Sequence, residues 1–424
     1  MSHRTFTLLA LALLGASCVE GRVFQLQYQS PLHDGGTQTS ESFLQGQTSV
    51  DLLFVIDNTY GMQPVQSALA AGIGTVLQRM GLARMDWRIG VISSDLGIDP
   101  HSGPGCTVQG GDRAELQSKP RTAGCAPPPG PYITANNVAD PAAAFQCIAL
   151  LGSAGCGFER PFDAALRAVD PATQPVLNKG FLRDTALLMV IWVTNEDDCS
   201  ATNHQIYDPD LVSLGLWTSY RCFAHDVECS GKAPDGSLTG CQSGKGAYLR
   251  PVKQVADQLG ALKPMGSAAV VVVSGPAAPV RVDQAAEPKL LPSCSGTGGV
   301  QATPAIRLLE LVSLFGQDGA ALPVCGSDVG QRLADAVVQL GSRTGPYCLR
   351  HALHDPAQPG CSVVVAPPGG FKTTVPPSSV GSPGFRIIHP VSPGCQHGAL
   401  VFDDAVTPPA GAVVTITCDF VSST

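Results

Sequence analysis

The chain contains 424 residues, of which 44% are hydrophobic and only 14% are charged, with 47 glycines, 35 prolines and a formal net charge of −8. This length has room for two domains or for one large domain with additions, and the hydrophobic fraction is ample for a core. The negative charge argues against a nucleic-acid partner, which calls for a basic face. The low charge together with the many glycines and prolines indicates long loops held by disulfides.

The first 17 residues show the order of regions that a secretory signal peptide has. Arg4 lies in a short polar start, residues 6–14 form an apolar run, and residues 15–17 are small. A charged start, a brief apolar core and a small-residue exit describe an export signal. The run is too short to span a bilayer, which takes about 20 apolar residues. The alternative is a hydrophobic N-terminal strand of a cytosolic protein.

Residues 14–18, LGASC, resemble the lipobox of bacterial lipoproteins, in which the cysteine is acylated and becomes the first residue of the mature protein. The lipobox prefers leucine three places before the cysteine, whereas here that place holds Gly15. The resemblance implies that Cys18 carries several acyl chains, palmitate among them, which together hold a protein at a membrane. Ordinary cleavage, with Cys18 as a simple thiol, is the alternative. The expected location is the bacterial cell envelope, at the outer membrane or facing the periplasm.

The cysteine count supports lipidation. The chain has 15 cysteines, and if Cys18 carries lipid, 15 − 1 = 14 remain, enough for seven disulfides. No CxxC arrangement occurs, so a zinc site is not expected. Oxidised cysteines indicate a compartment outside the cytosol. Neighbours in the sequence suggest three pairs: Cys147 with Cys156, Cys229 with Cys241, and Cys348 with Cys361.

The first predicted elements follow a polar segment. Residues 18–47 are rich in Gln, Ser, Thr and Gly, and we expect a tether that lifts a domain off the membrane. Residues 50–56 form a nearly continuous apolar run that ends at Asp57, as in a strand buried on both faces of a parallel sheet. Apolar residues at helical spacing between Val65 and Leu77 predict a helix. Residues 87–93 predict a second strand.

The pattern then continues around two long insertions, at 96–140 and 199–247. Helices are predicted at 142–151, 161–169, 249–262, 303–315 and 328–340, and strands at 186–193 and 268–274. Strands that alternate with helices predict an α/β fold with a doubly wound, mostly parallel sheet. Residues 346–424 differ in character, with four cysteines and β-type runs at 362–365, 385–388 and 412–418. We expect a small, disulfide-rich β extension there.

Acidic residues stand where three of the predicted strands end. These are Asp57, Asp95 and the run at 196–198. Doubly wound sheets bind ligands at the carboxyl ends of their strands, and oxygen ligands from several loops suit hard cations such as Mg²⁺ and Ca²⁺. The alternatives are that Asp57 only caps the following helix, and that residues 196–198 form a solvated loop anchored by Cys199.

Four segments together resemble a von Willebrand factor A (VWA) domain: VDLLFVIDNTYGM at 50–62, RIGVISSDLG at 88–97, CGFERPFDAALRAV at 156–169 and LLMVIWVTNEDDCS at 187–200. More narrowly, the chain is similar to the cysteine-rich A-domain lipoproteins of myxobacteria and related bacteria. The resemblance covers about residues 48–345. It implies a non-enzymatic adhesion or protein-binding module, with a signal peptide at 1–17, an anchored linker at 18–47 and a C-terminal β region at 346–424.

The family's metal-ion-dependent adhesion site is matched only in part. Asp57 matches the first Asp of the motif and Thr59 keeps the hydroxyl of the first Ser, but Gly61 replaces the second Ser. Glu159 lies near the place of the second-loop Thr, and Asn195 takes the place of the third-loop Asp. The resemblance therefore implies a degenerate Mg²⁺ or Ca²⁺ site whose ligands are Asp57, Thr59, Glu159, Asn195 and, from the acidic run, Asp197.

Two other functions compete with a binding module. A secreted hydrolase would need a nucleophile with its base, and the histidines lie in no G-x-S-x-G or H-E-x-x-H context. A structural envelope scaffold without metal-dependent binding is the second alternative. The expected partners are a protein ligand or envelope component and, through lipid at Cys18, the membrane.

Overall fold

The structure is a computed structural model. It describes residues 36–45, 49–83, 85–121, 123–183, 186–263, 267–341, 347–357, 359–388, 397–409 and 411–421. The predicted signal peptide and Cys18 lie outside these residues, so both stay predictions.

The described residues form seven α-helices and nineteen strands, several of them only two residues long. The helices are α1 Gln63–Leu82, α2 Pro141–Ala149, α3 Pro161–Val169, α4 Tyr220–Asp226, α5 Val252–Ala261, α6 Ile306–Phe315 and α7 Val329–Gly341. The strands up to α6 are β1 Gly36–Gln45, β2 Ser49–Ile56, β3 Asp86–Ser93, β4 Ile133–Thr134, β5 Leu187–Val193, β6 Val227–Lys232, β7 Leu238–Ser243, β8 Ala268–Ser274, β9 Val282–Asp283, β10 Lys289–Leu290, β11 Cys294–Ser295 and β12 Gln301–Ala302. The later strands are β13 Gly319–Pro323, β14 Tyr347–Cys348, β15 Ser362–Ala366, β16 Thr373–Val375, β17 Phe385–Ile388, β18 Ala399–Phe402 and β19 Ala412–Val421.

A six-stranded sheet in the order β13-β8-β5-β2-β3-β4 forms the centre of the molecule. Five strands are parallel, and only the short edge strand β4 runs antiparallel. Strand order reverses direction between β2 and β5, as in doubly wound folds, where ligands bind at that point. The predicted fold class, a doubly wound and mostly parallel α/β sheet, is confirmed.

Helices cover both faces of this sheet because its strands are apolar on both sides. In β2, Leu52, Phe54 and Ile56 face a core formed with α1, α2 and α7. Leu53 and Val55 face the opposite core, formed with α3, α5 and α6. Side chains alternate between the faces of a strand, so a continuous apolar run is what a sheet between two helix layers requires.

Two of the strands that were not predicted extend the sheets, β13 in the central sheet and β1 in a C-terminal sheet. β13 is the last parallel strand, beside β8, and its residues are only partly buried, so it lacks the apolar run that marks the other strands. β1 lies in the segment expected to be a tether and pairs with β19 from Gly36↔Val421 to Gln45↔Ala412. The polar-tether prediction is therefore wrong over 36–45. This strand alternates Glu41 and Phe43 inward with Ser40 and Ser42 outward, a pattern that one half-buried sheet produces.

The C-terminal residues form two antiparallel sheets. One has the order β1-β19-β15-β16 and the other β14-β18-β17. Phe43 of β1 stacks on Tyr347 with 3.7 Å between ring centroids, and a disulfide joins Cys361 to Cys418. The predicted disulfide-rich β extension is confirmed, with the addition that its edge strand comes from the N-terminal side of the chain.

Six disulfides occur among the described residues: Cys106–Cys156, Cys125–Cys147, Cys199–Cys222, Cys229–Cys241, Cys294–Cys325 and Cys361–Cys418. The Cys229–Cys241 prediction is confirmed. The Cys147–Cys156 and Cys348–Cys361 predictions are wrong, because the insertion at 96–140 and strand β19 bring more distant cysteines closer than sequence neighbours. Disulfides in this number mark an extracytoplasmic protein. In the described part of the chain, no helix is long and apolar enough to cross a membrane.

Candidate functional site

Loops that follow neighbouring parallel strands meet at one edge of the central sheet. We call it the carboxyl edge, formed by residues 57–62 after β2, 94–97 after β3, 155–160 before α3, and 194–198 after β5. Backbone hydrogen bonds tie the first residues of these loops together. Asp57 N donates to Val193 O at 3.0 Å, and Ser94 N donates to Ile56 O at 3.2 Å. The carboxyl edge therefore lies at the point where strand order reverses.

Three hydrogen bonds fix the carboxylate of Asp57, which directly follows β2. Its Oδ1 accepts hydrogen bonds from Thr59 N at 2.8 Å and Thr59 Oγ1 at 2.6 Å, and its Oδ2 accepts one from Thr194 Oγ1 at 2.8 Å. Burial raises the pKa of Asp57, and these hydrogen bonds oppose the rise. Helix α1 begins after Met62 with no side-chain cap, so the alternative in which Asp57 only caps that helix is wrong.

Glu159 lies beside Asp57 with almost no access to solvent. It is 1% exposed, and neither carboxylate oxygen has a hydrogen-bond partner among the described residues. Burial, and then the negative charges of Glu196 and Asp57, raise the pKa of Glu159 well above its usual value. Its backbone is fixed, since Glu159 O accepts from Cys199 N at 2.9 Å. A buried carboxylate in this state favours either a proton or a bound cation.

Other buried oxygens at the carboxyl edge also lack partners within the described residues. They are Asn58 Oδ1, Ser94 Oγ and Asn195 Oδ1, in addition to both Glu159 oxygens. Buried polar atoms are normally satisfied, and each exception needs an explanation such as an ion. All of these atoms are oxygens, the donor type that Mg²⁺ and Ca²⁺ prefer. The donor set therefore fits a hard divalent cation.

The acidic run after β5 splits among three environments. Glu196 accepts a hydrogen bond from Ser219 Oγ at 3.1 Å, and burial together with the Asp57 charge raises its pKa to about 7. Asp197 turns away and accepts from Arg307 N at 2.9 Å and from Leu308 N at 3.1 Å, at the start of α6.

Asp198 is paired with the Arg307 side chain, with 3.1 Å between Oδ2 and Nη2. The alternative in which residues 196–198 form a solvated loop is therefore wrong.

The structure brings together four of the five predicted ligands. Those at the carboxyl edge are Asp57, Thr59, Glu159 and Asn195. The fifth, Asp197, accepts hydrogen bonds from backbone N–H groups at the N-terminus of α6. Within the described ranges, no three His, Cys, Asp or Glu side chains are grouped as a metal site. The donors that converge are therefore mixed, from carboxylates, hydroxyls and amide oxygens.

The backbone conformation at position 61 favours glycine. Gly61 has φ +90°, and a Cβ there would lie 3.0 Å from Asn195 Nδ2. A side chain at this position would be strained and would press on Asn195. Asn195 Nδ2 in turn donates to Tyr60 O at 3.5 Å. The two departures from the family motif, at 61 and 195, are thus in contact with each other.

A cavity of about 300 Å³ opens next to these residues, and we call it the edge cavity. The buried Glu159 and the partly buried Glu196 form its inner end, and its walls contain residues 218–220, 222–223 and 287–290. Tyr60 is 90% exposed on the loop after β2.

Sequence reasoning missed Asn58, Ser94 and the part played by Glu196. Their positions directly after β2, β3 and β5 were the available signal.

Comparisons with known proteins identify no family. No family model matches the chain, and no curated protein matches it. Among solved structures, the pilus adhesin SpaC from Lactobacillus rhamnosus GG in its open conformation is 13% identical, with 91% of this chain and 40% of that chain covered and a TM-score of 0.32. The human COPII-coat protein Sec24c is 9% identical, with 90% and 41% covered and a TM-score of 0.31. The chain spans about two fifths of the length of these structures, and the similarity is too distant to carry a conclusion about function.

Proposed function

We propose that the protein is an exported, lipid-anchored and non-enzymatic binding module that engages a protein ligand or envelope component at the carboxyl edge with the help of a divalent cation. The supporting observation is the set of buried oxygens around Asp57 and Glu159 that have no hydrogen-bond partner among the residues the structure describes. The residues that would hold Mg²⁺ or Ca²⁺ are Asp57, Thr59, Glu159 and Asn195. A bound cation would offset the negative charges of the neighbouring Asp57, Glu159 and Glu196.

The residues of the chain have separate parts in this proposal. The Thr59 and Thr194 hydroxyls orient Asp57 by donating to its two oxygens. Gln66 Nε2 donates to Asp57 O at 2.8 Å and to Gly152 O at 2.9 Å, which holds the loop after β2 in place. Tyr60 offers an exposed aromatic ring beside the site, a residue type enriched where binding energy concentrates.

Calorimetric titration tests the cation. Mature protein freed of metal with a chelator is titrated with Mg²⁺, Mn²⁺ and Ca²⁺, and heat with a rise in the thermal midpoint is expected for at least one ion. Asp57→Ala should abolish both effects. Asp257→Asn, at an exposed carboxylate of α5 paired with Lys253, should change neither. No heat, with wild type and Asp57→Ala unfolding alike, would leave the structural scaffold as the better function.

The anchor has its own test. The intact mass of protein extracted from membranes should show loss of residues 1–17 and a lipid adduct on Cys18. A mass that fits cleavage alone would contradict lipidation and leave the binding proposal untouched.

A further inference from the structure

The edge cavity has an excess of negative charge even when a cation is counted. Glu159 and Glu196 line the cavity, and Asp57 lies close enough to act on both electrostatically. When ionised, these three carboxylates leave one negative charge against the two positive charges of the cation. Asp198 and Arg307 form an ion pair, and the opposite charges of Glu287 and Lys289, which both line the cavity, cancel in the count. Asp197 adds a further negative charge, held by backbone N–H groups. A carboxylate entering this space would meet repulsion.

The walls of the cavity suit the stem and head of a basic side chain. Tyr220 and Phe223 both line it, with 5.8 Å between their ring centroids. Aromatic faces attract ammonium and guanidinium groups. Pro288 and Leu290 provide apolar contact on the other wall, which the methylene stem of lysine or arginine can cover. Glu159, 1% exposed and without a hydrogen-bond partner in the described part of the chain, stands at the inner end.

We infer that the edge cavity receives a basic side chain, lysine or arginine, of a protein partner. This deepens the proposed function, on which it rests for the assignment of the carboxyl edge as a protein-binding surface. The partner is thus expected to present a positive residue to this edge, with its charged head toward Glu196 and its stem between the aromatic wall and residues 288–290.

Ligand-observed NMR with small probes tests the inference on the mature protein in saturating Mg²⁺. The probes are the N-acetyl methylamides of lysine, arginine, glutamate and norleucine. We expect saturable binding of the lysine or arginine probe, and none for the glutamate and norleucine probes. Tyr220→Leu should weaken the basic probe about two- to fivefold, the range for a cation–π contact at an exposed site.

Two substitutions at the outer end separate charge from structure. Glu287→Gln should weaken binding of the basic probe about two- to fivefold, while Lys289→Met should strengthen it by a similar factor, as expected for partly exposed charges. A purely structural effect would move both variants in the same direction. Neither residue belongs to the proposed cation ligands, so the Mg²⁺ titration should be unchanged in both.

The outcomes distinguish the two proposals. Binding of the glutamate probe in place of the basic probes, or binding of none of them, overturns the inference while the cation titration still decides the proposed function. Binding of the basic probes to protein that takes up no divalent cation supports the inference and refutes the cation part of the proposed function.

Discussion

Glu159 and Glu196 lie at the inner end of the edge cavity, close to Asp57. The negative charges of these three side chains repel one another. A carboxylate that is buried without a partner is costly, because neither water nor a donor compensates its charge. Asp163 shows the contrast, since it is also buried, at 7% exposure, but bridges Arg160 and Arg250 at 2.8 and 2.7 Å. Among the described residues, Asp163 is thus paired with two arginines, whereas Glu159 has no counter-charge. This contrast is the reason for proposing a cation at Glu159.

Replacing Glu159 tests this cost. Glu159→Gln removes the charge and keeps the shape, so we expect a higher thermal midpoint than wild type in chelator at about pH 8. The rise in midpoint on adding Ca²⁺ should disappear. Differential scanning fluorimetry measures both, with Asp257→Asn as the control. A lower midpoint in chelator together with a retained Ca²⁺ effect would contradict the assignment of Glu159.

The pH dependence of stability follows from the raised acids. Burial and the Asp57 charge raise the pKa of Glu196 from 4.5 to about 7, and burial raises the pKa of Asp197 from 3.8 to about 6. The folded protein therefore holds protons that the unfolded chain has released, and the stabilisation is present below the unfolded pKa values and lost as pH rises through the folded ones.

The thermal midpoint in chelator should therefore fall between about pH 5 and pH 8. Glu196→Gln should flatten the fall, as should added Ca²⁺. A thermal midpoint that rises between these pH values would show that groups other than Glu196 and Asp197 determine the pH dependence of stability.

Helix α1 depends on how closely it approaches α7. Gly72 and Gly330 lie at the contact, where a Cβ on Gly72 would come within 2.5 Å of Gly330 Cα. This helix begins directly after the loop that contains Asp57 and Thr59, so its seating positions the carboxyl edge. The helix pattern was visible in the sequence, but the contact between two glycines was not, since periodicity describes one helix and not its distance from another.

Two alanine substitutions two residues apart in α1, at Gly72 and Gly74, form a matched pair. Gly72→Ala should destabilise the protein by about 1–3 kcal/mol through overpacking. Gly74→Ala, whose Cβ would meet nothing within 4 Å, should stabilise it by up to about 1 kcal/mol through helix propensity. Urea unfolding measures both free energies. Equal effects of the two substitutions would contradict the close approach.

At the scale of the whole molecule, the chain's N-terminal strand completes its C-terminal sheet. β1 pairs with β19 along ten residues, and the buried Glu41 accepts from Arg350 N and His351 N and lies 2.8 Å from His351 Nδ1. Arg350 Nη2 also contacts Asp318 Oδ2 at 2.7 Å, which joins this β region to the α/β domain.

Removing β1 should therefore expose the β region. A protein that starts at residue 47 is expected to be cut by trypsin within 347–421 much faster than one that starts at residue 36, because Glu41 and Phe43 no longer cover the sheet. Mass analysis of the fragments locates the cuts. Equal resistance of the two proteins would show that β19 and β15 are stable without this edge strand.

Helices and strands that are encoded by a pattern within one short segment could be predicted from the amino-acid sequence. Buried strands such as β5 and β8 are continuous apolar runs, and α3 was predicted with its observed bounds, because burial on both faces and helical spacing are properties of short segments. The acidic residues at strand ends also predicted an edge where oxygen donors meet, since parallel strands end together.

Which of those oxygen donors lie next to one another depends on how the segments of the chain pack together. Asp197 and Glu196 are adjacent in the chain and both line the edge cavity. Yet Asp197 accepts from backbone N–H groups at the start of α6, whereas Glu196 accepts from Ser219 Oγ. Two disulfides predicted between sequence neighbours were also wrong, as was the prediction that residues 36–45 form a tether. Disulfide partners, strand partners and ligand sets depend on contacts between segments far apart in the chain, and those contacts are fixed only when the helices, the sheet and the insertions pack together.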